Sequence, residues 1–142
     1  MLGKAWRRLT ARLGGKRQGQ VRFSVHRHPM YQSVWHPVAT PDEQPAMQIQ
    51  IYLEASNMAA GACWIMAAEI AGMPATKTVI GVRDPKSRKF APDNPLPPRQ
   101  ITTLSLHFLV NGQSWSIGEP FPATVILTDH VGGRHLLKVI MH

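Results

Sequence analysis

A chain of 142 residues with 44% hydrophobic and 17% charged side chains has the makeup of one globular domain, which excludes disorder throughout. Its formal net charge of +8 is segregated: Lys4, Arg7, Arg8, Arg12, Lys16, Arg17, Arg22 and Arg27 all precede the first acidic residue, Asp42, and the remaining basic and acidic residues balance. Such asymmetry points to an anionic partner for the amino-terminal segment rather than to a property of the fold.

Residues 1–19 read as a basic amphipathic helix. Leu2, Trp6, Leu9 and Leu13 fall on one narrow arc at helical periodicity, with Lys4, Arg7, Arg8 and Arg12 opposite. Gly14 and Gly15 supply a stop, and Lys16 and Arg17 complement the negative end of the helix dipole. A helix of three to four turns with no acidic residue in its first turn is marginal alone in water, so it needs a surface. A groove on another protein or on this protein's own sandwich, or an anionic membrane face, would take the apolar stripe, whereas nucleic acid would take the basic one.

The early positive charge is followed by no apolar run of signal-peptide length. Serine is absent before Ser24, which counts against a mitochondrial leader. Met58 to Ala68 is too short to cross a bilayer. The lone cysteine, Cys63, has no partner for an internal disulfide and sits beside Trp64 and Ile65, as a buried thiol in a reducing compartment would. The expected location is cytoplasmic, with attachment at the inner face of a membrane as one use of the helix.

From Val21 onward the period changes to two. Val21, Phe23 and Val25 alternate with polar residues; Met47, Ile49, Ile51, Leu53 and Ala55 do so more strongly. The stretch between them, with Pro29, Pro37, Pro41 and Pro45, reads as broken. Ala62 to Ile70, bracketed by Gly61 and Gly72, is expected as a strand buried on both sides, and Thr76 to Val82 as a short β-branched strand. Five prolines between Pro85 and Pro98 exclude a central strand or helix there and leave a long crossing connection. Long loops often bind, which makes Lys86, Arg88, Lys89 and Phe90 secondary contact candidates.

The carboxyl third reads as hairpins. Leu104, Leu106, Phe108 and Val110 lead to Asn111-Gly112, taken as a tight turn, and a strand follows with Val125 and Leu127 on one face. The turn Asp129 to Gly133 then returns a last strand through Leu137, Val139 and Met141. About seven strands punctuated by Gly and Pro, without intervening helices, imply an all-β antiparallel sandwich.

From about Val21 to Met141, ending in Thr128-Asp129-His130-Val131-Gly132-Gly133-Arg134-His135 and an alternating strand, the pattern resembles the small immunoglobulin-like β-sandwich modules of bacterial and phage proteins. The resemblance lies in strand order and the closing hairpin, and one cysteine leaves no bridge between sheets. It implies a recognition or scaffold module, usually without catalysis.

Enzyme motifs are wanting. Gly112-Gln113-Ser114 is the nearest approach to a nucleophile elbow, and neither a phosphate loop nor a Cys-x-x-Cys pair occurs. His26 and His28, two apart on an expected strand, would project from one face as metal ligands do, and His130, His135 and His142 could meet at the last turn; no carboxylate is spaced to complete either set. No cofactor is expected. The sequence therefore reads as a docking helix over 1–19 and an immunoglobulin-like sandwich over 20–142. A protein partner or an anionic membrane is favoured over nucleic acid, and exposed strand edges are open to self-association.

Overall fold

Period-two alternation becomes strand wherever one face can be buried, and here it does so on two facing sheets. The computed structural model describes residues 20–112 and 115–142. The helix expected over residues 1–19 lies outside them, as do its docking residues Leu2, Lys4, Trp6, Arg7, Arg8, Leu9, Arg12, Leu13, Lys16 and Arg17.

Among the described residues nine strands form: β1 Val21–Val25, β2 Val34–Ala39, β3 Pro45–Asn57, β4 Ile65–Ile70, β5 Lys77–Arg83, β6 Phe90–Ala91, β7 Gln100–Asn111, β8 Phe121–Asp129 and β9 Arg134–Met141. Every pairing is antiparallel. The larger sheet runs β1-β3-β7-β5-β6, with β2 also on β3, and the smaller runs β4-β8-β9. Strands β3 and β7 form the spine of the larger sheet, in register from Ala46 opposite Asn111 to Asn57 opposite Gln100.

That register fixes the core. Met47, Ile49, Ile51 and Leu53 face inward beside Val110, Phe108, Leu106 and Leu104, and meet Val125, Leu127, Val139 and Met141 of the smaller sheet in one apolar cluster. Each such side chain, fully buried, contributes about 1.5–3 kcal/mol. Cys63 is buried as expected, and its backbone exchanges two hydrogen bonds with Leu96, at 3.1 and 2.7 Å. No described helix is long and apolar enough to cross a membrane.

Four expectations are corrected. The stretch read as broken contains β2, in which Pro37 opposes Met47; β2 lies at a sheet edge, where a missing N–H costs no ladder bond, and buried Trp35 packs its ring 5.6 Å from that of Trp115. The Pro-rich connection contains β6, two residues at the opposite edge. Strand β4 forms but is not buried on both sides: Ile65 and Ile70 are buried while Met66 is 65% exposed, because β4 is an edge strand with one face in solvent. Finally, Asn111-Gly112 closes no hairpin. Gly112 takes the left-handed φ of 86° and donates its N–H to Pro45 O at 2.8 Å, but β7 and β8 belong to different sheets, so the chain crosses over instead of returning.

Candidate functional site

The amino-terminal segment joins the body at an edge. Val21 is buried opposite Asn57, and the Gln20 carbonyl accepts the Met58 N–H at 2.7 Å, so Gln20, to which the preceding residues are joined, sits at the margin of the larger sheet.

The candidate contact residues Lys86, Arg88, Lys89 and Phe90 belong to the β5–β6 hairpin. Its tip is built around Asp84, whose carboxylate accepts the N–H groups of Lys86 and Ser87, each at 3.3 Å. The Asp84 N–H donates to Lys89 O at 2.9 Å and the Arg88 N–H to Asp84 O at 2.8 Å. Hydrogen bonds from the Ser87 side chain and from the Lys86 and Ser87 backbone hold the Asp84 carboxyl below its ordinary range. All three cations are exposed. The loop is thus shorter and more ordered than a crossing connection, and it presents three positive charges on a fixed turn.

Phe90 follows the tip and lies over the outer face of the sheet. A side chain at Gly81 would come within 3.0 Å of Phe90 Cβ and 2.6 Å of Ser105 Oγ, so glycine there makes room for the ring. Phe90 is one of five rings gathered on this face. Tyr31 has its centroid 5.1 Å from Tyr52, 6.4 Å from Phe90, 4.7 Å from His26 and 6.0 Å from His28, and Tyr52 lies 6.5 Å from Phe90. Tyr52 occupies an outward position of β3, its backbone N–H donating to Ser33 Oγ at 3.2 Å and its hydroxyl bonded to the Gln50 amide. Tyr31 is delivered by a single 3-10 turn, Pro29–Tyr31, capped by the His28 ring.

The two histidines read as metal candidates have other duties. Strand β1 ends at Val25, so neither projects from a strand. His26 Nδ1 accepts the His28 N–H at 3.1 Å and His28 Nδ1 accepts the Met30 N–H at 3.1 Å. With Nδ1 accepting, a neutral His26 carries its proton on Nε2 and donates to Thr103 Oγ1, 3.0 Å away. Burial lowers its pKa; the Glu54 charge works against this and His28 adds to it. Among the described residues, no three His, Cys, Asp or Glu side chains come together as metal ligands.

His130, His135 and His142 do not form a set at the last turn either. His130 Nδ1 accepts the Trp64 N–H at 3.1 Å, tying the start of β4 to the turn. His135 Nε2 lies 2.9 Å from Asp129 Oδ2, both side chains nearly buried, and Phe23 stands edge-on to the His135 ring at 5.1 Å. Asp129 Oδ1 also accepts the N–H groups of Gly133 at 2.7 Å and Val131 at 3.0 Å. Burial opposes the Asp129 charge, yet the hydrogen bonds from His135, Gly133 and Val131 hold its carboxyl below the usual range. This constellation locks a turn. Beside it, Cys63 lines a recess of about 260 Å³ with Asp129 and His130, and its thiol is pushed up to about 11 by burial and by the Asp129 charge, the opposite of an activated nucleophile.

Sequence reasoning missed the ring cluster. Tyr52 was legible as outward-facing and Phe90 as a loop aromatic, but nothing local signals that a two-residue strand and a 3-10 turn bring them together. Comparison with protein-family models, curated proteins and solved structures finds no match for this chain.

Proposed function

We propose that the chain is a non-enzymatic interaction module, an immunoglobulin-like sandwich over 20–142 that carries a basic docking segment over 1–19. With the edge additions β2 and β6 set aside, the order β1-β3-β7-β5 facing β4-β8-β9 corresponds to the ABED and CFG sheets of constant-type immunoglobulin domains, which supports the fold assignment. The chain departs from antibody domains in two respects: β3 and β8 carry no cysteines, and Trp64 at the start of β4 is 40% exposed instead of buried.

The observation that carries the docking role is the charge layout. Residues 1–19 contain six basic residues and no acidic one, and they issue from an edge strand pinned to the body by Val21 and Gln20. A partner protein or an anionic membrane face would bury Leu2, Trp6, Leu9 and Leu13 while Lys4, Arg7, Arg8 and Arg12 supply attraction, about 1 kcal/mol per basic residue at an anionic bilayer. The sandwich would then display its own surfaces from that anchor.

Flotation of the full chain with anionic and neutral vesicles tests the membrane arm, and crosslinking to a partner from native extract tests the protein arm. In either, Trp6→Ala and Arg7→Glu/Arg8→Glu/Arg12→Glu should each cause strong loss. Unchanged recovery of all companions by both variants refutes the reading.

A further inference from the structure

We propose that the ring cluster on the outer face of the larger sheet, fringed by the β5–β6 cations, is a stacking platform for single-stranded nucleic acid. It goes beyond the docking role of residues 1–19, because it belongs to the body and is built from other residues.

Two features coincide there. Tyr31, Tyr52 and Phe90 stand within 6.5 Å of one another with His26 and His28 against Tyr31, on a sheet face outside the apolar core cluster of the described residues. Phe90 remains 38% exposed and His28 is exposed. Rings that only pinned a loop to the sheet would need no charge around them. Here exposed Arg27 lies between the two histidines, and Lys86, Arg88 and Lys89 directly precede Phe90 on a turn whose geometry is set by Asp84. The ionised Asp84 within the turn and Glu54 near His26 offset part of this positive charge, and Arg27, Lys86, Arg88 and Lys89 outnumber them.

Aromatic faces on a surface that also carries exposed cations suit a chain in which flat bases alternate with phosphates. Unpaired bases can stack on the rings while the phosphates track the basic tip, without reading sequence. A duplex has its bases already stacked and would gain only the charge contacts. An anionic bilayer would want a broad apolar face, whereas this one carries hydroxyls and amides, among them Tyr52 and Gln50.

The test is fluorescence anisotropy of the full chain with labelled oligothymidylate and oligouridylate of about twelve nucleotides, a length within the site sizes of single-strand binders. A duplex of the same sequence and heparin serve as charge controls. Single strands should bind tighter than duplex or heparin at matched salt. Tyr31→Ala and Phe90→Ala should each weaken binding about 5- to 150-fold, the equivalent of one lost stacked base. Lys86→Ala/Arg88→Ala/Lys89→Ala should lower the slope of log affinity against log salt by about two. Thermal melts check that each variant is folded; should Phe90→Ala fail, Phe90→Leu keeps the cover over Gly81 and carries the same expectation. Absent binding, equal affinity for duplex or heparin, or affinity unchanged in the folded ring variants, as binding through residues 1–19 alone would give, overturns the proposal. A preference between the two oligomers identifies DNA or RNA as the source, and either outcome supports the platform.

Discussion

Removing the Asp129 carboxylate should be among the most damaging single changes in this protein. The side chain is 7% exposed and accepts three hydrogen bonds: from Gly133 N–H, from Val131 N–H and from His135 Nε2. Asp129→Ala leaves two turn N–H donors and an almost buried imidazole without their acceptor, and at about 1–3 kcal/mol for each unsatisfied group, with the more exposed turn donors at the low end, the loss is about 3–5 kcal/mol. For a body of this size, about 1 kcal/mol corresponds to about 4 °C in Tm, so differential scanning calorimetry should show a drop of about 12–20 °C. Asp129→Asn keeps the shape and one acceptor and should cost less. The pH dependence has a definite sign. A carboxyl held below its unfolded value stabilises the fold fully above about pH 4 and loses that contribution as pH falls through the folded value. Wild type should therefore lose more stability than Asp129→Asn on acidification from neutral pH. A Tm within about 3 °C of wild type for Asp129→Ala, or parallel acid profiles for wild type and Asp129→Asn, would refute this account of the turn.

Leu106→Ala, at a fully buried position of the spine, should destabilise by about 2–5 kcal/mol in urea unfolding, where the cavity it leaves cannot collapse. Asn57→Ala should cost about 1–3 kcal/mol, since its amide donates to Gly61 O and Leu96 O at 3.0 Å each and its carbonyl accepts the Ala59 N–H; a neutral result would show that water replaces it. Gly133→Ala should destabilise the final hairpin, because the added carbon meets Asp129 Oδ2 at 2.5 Å, and the loss should largely vanish in the Asp129→Ala background. Cys63, raised to about 11, should react with a thiol reagent at pH 8 far more slowly in the folded protein than in denaturant; comparable rates would mean the thiol is accessible.

The strands that form the core were legible because each alternates over enough residues to commit one face: β3 from Met47 to Ala55, β7 from Leu104 to Val110 and β9 from Leu137 to Met141. The turn Asp129 to Gly133 was also legible from its composition. What escaped was set by neighbours. Strand β2 hides behind Pro37, a residue that forbids a central strand but not an edge, and its place is set by pairing with β3 and by the contact of Trp35 with Trp115, distant in sequence. Ala62 to Ile70 looks doubly buried by composition, yet the smaller sheet stops at β4. The five-ring cluster is a product of register and loop placement, which bring Tyr52 and Phe90 to Tyr31 from distant parts of the sequence, whereas Asp129 and His135 share one hairpin and only their side-chain pairing was hidden. The charge of residues 1–19 was plain from the start, since it depends on composition alone.

The attachment through β1 has a mechanical consequence. Any pull exerted by an anchored leader enters the body at Val21, the first residue of a five-residue ribbon held on one side only, by β3. Tension there would unzip that ribbon bond by bond, uncovering Phe23 and loosening its grip on His135, before it reached the twelve-rung ladder between β3 and β7. A tethered molecule under load should fail first by fraying at its hem, with the central fabric intact.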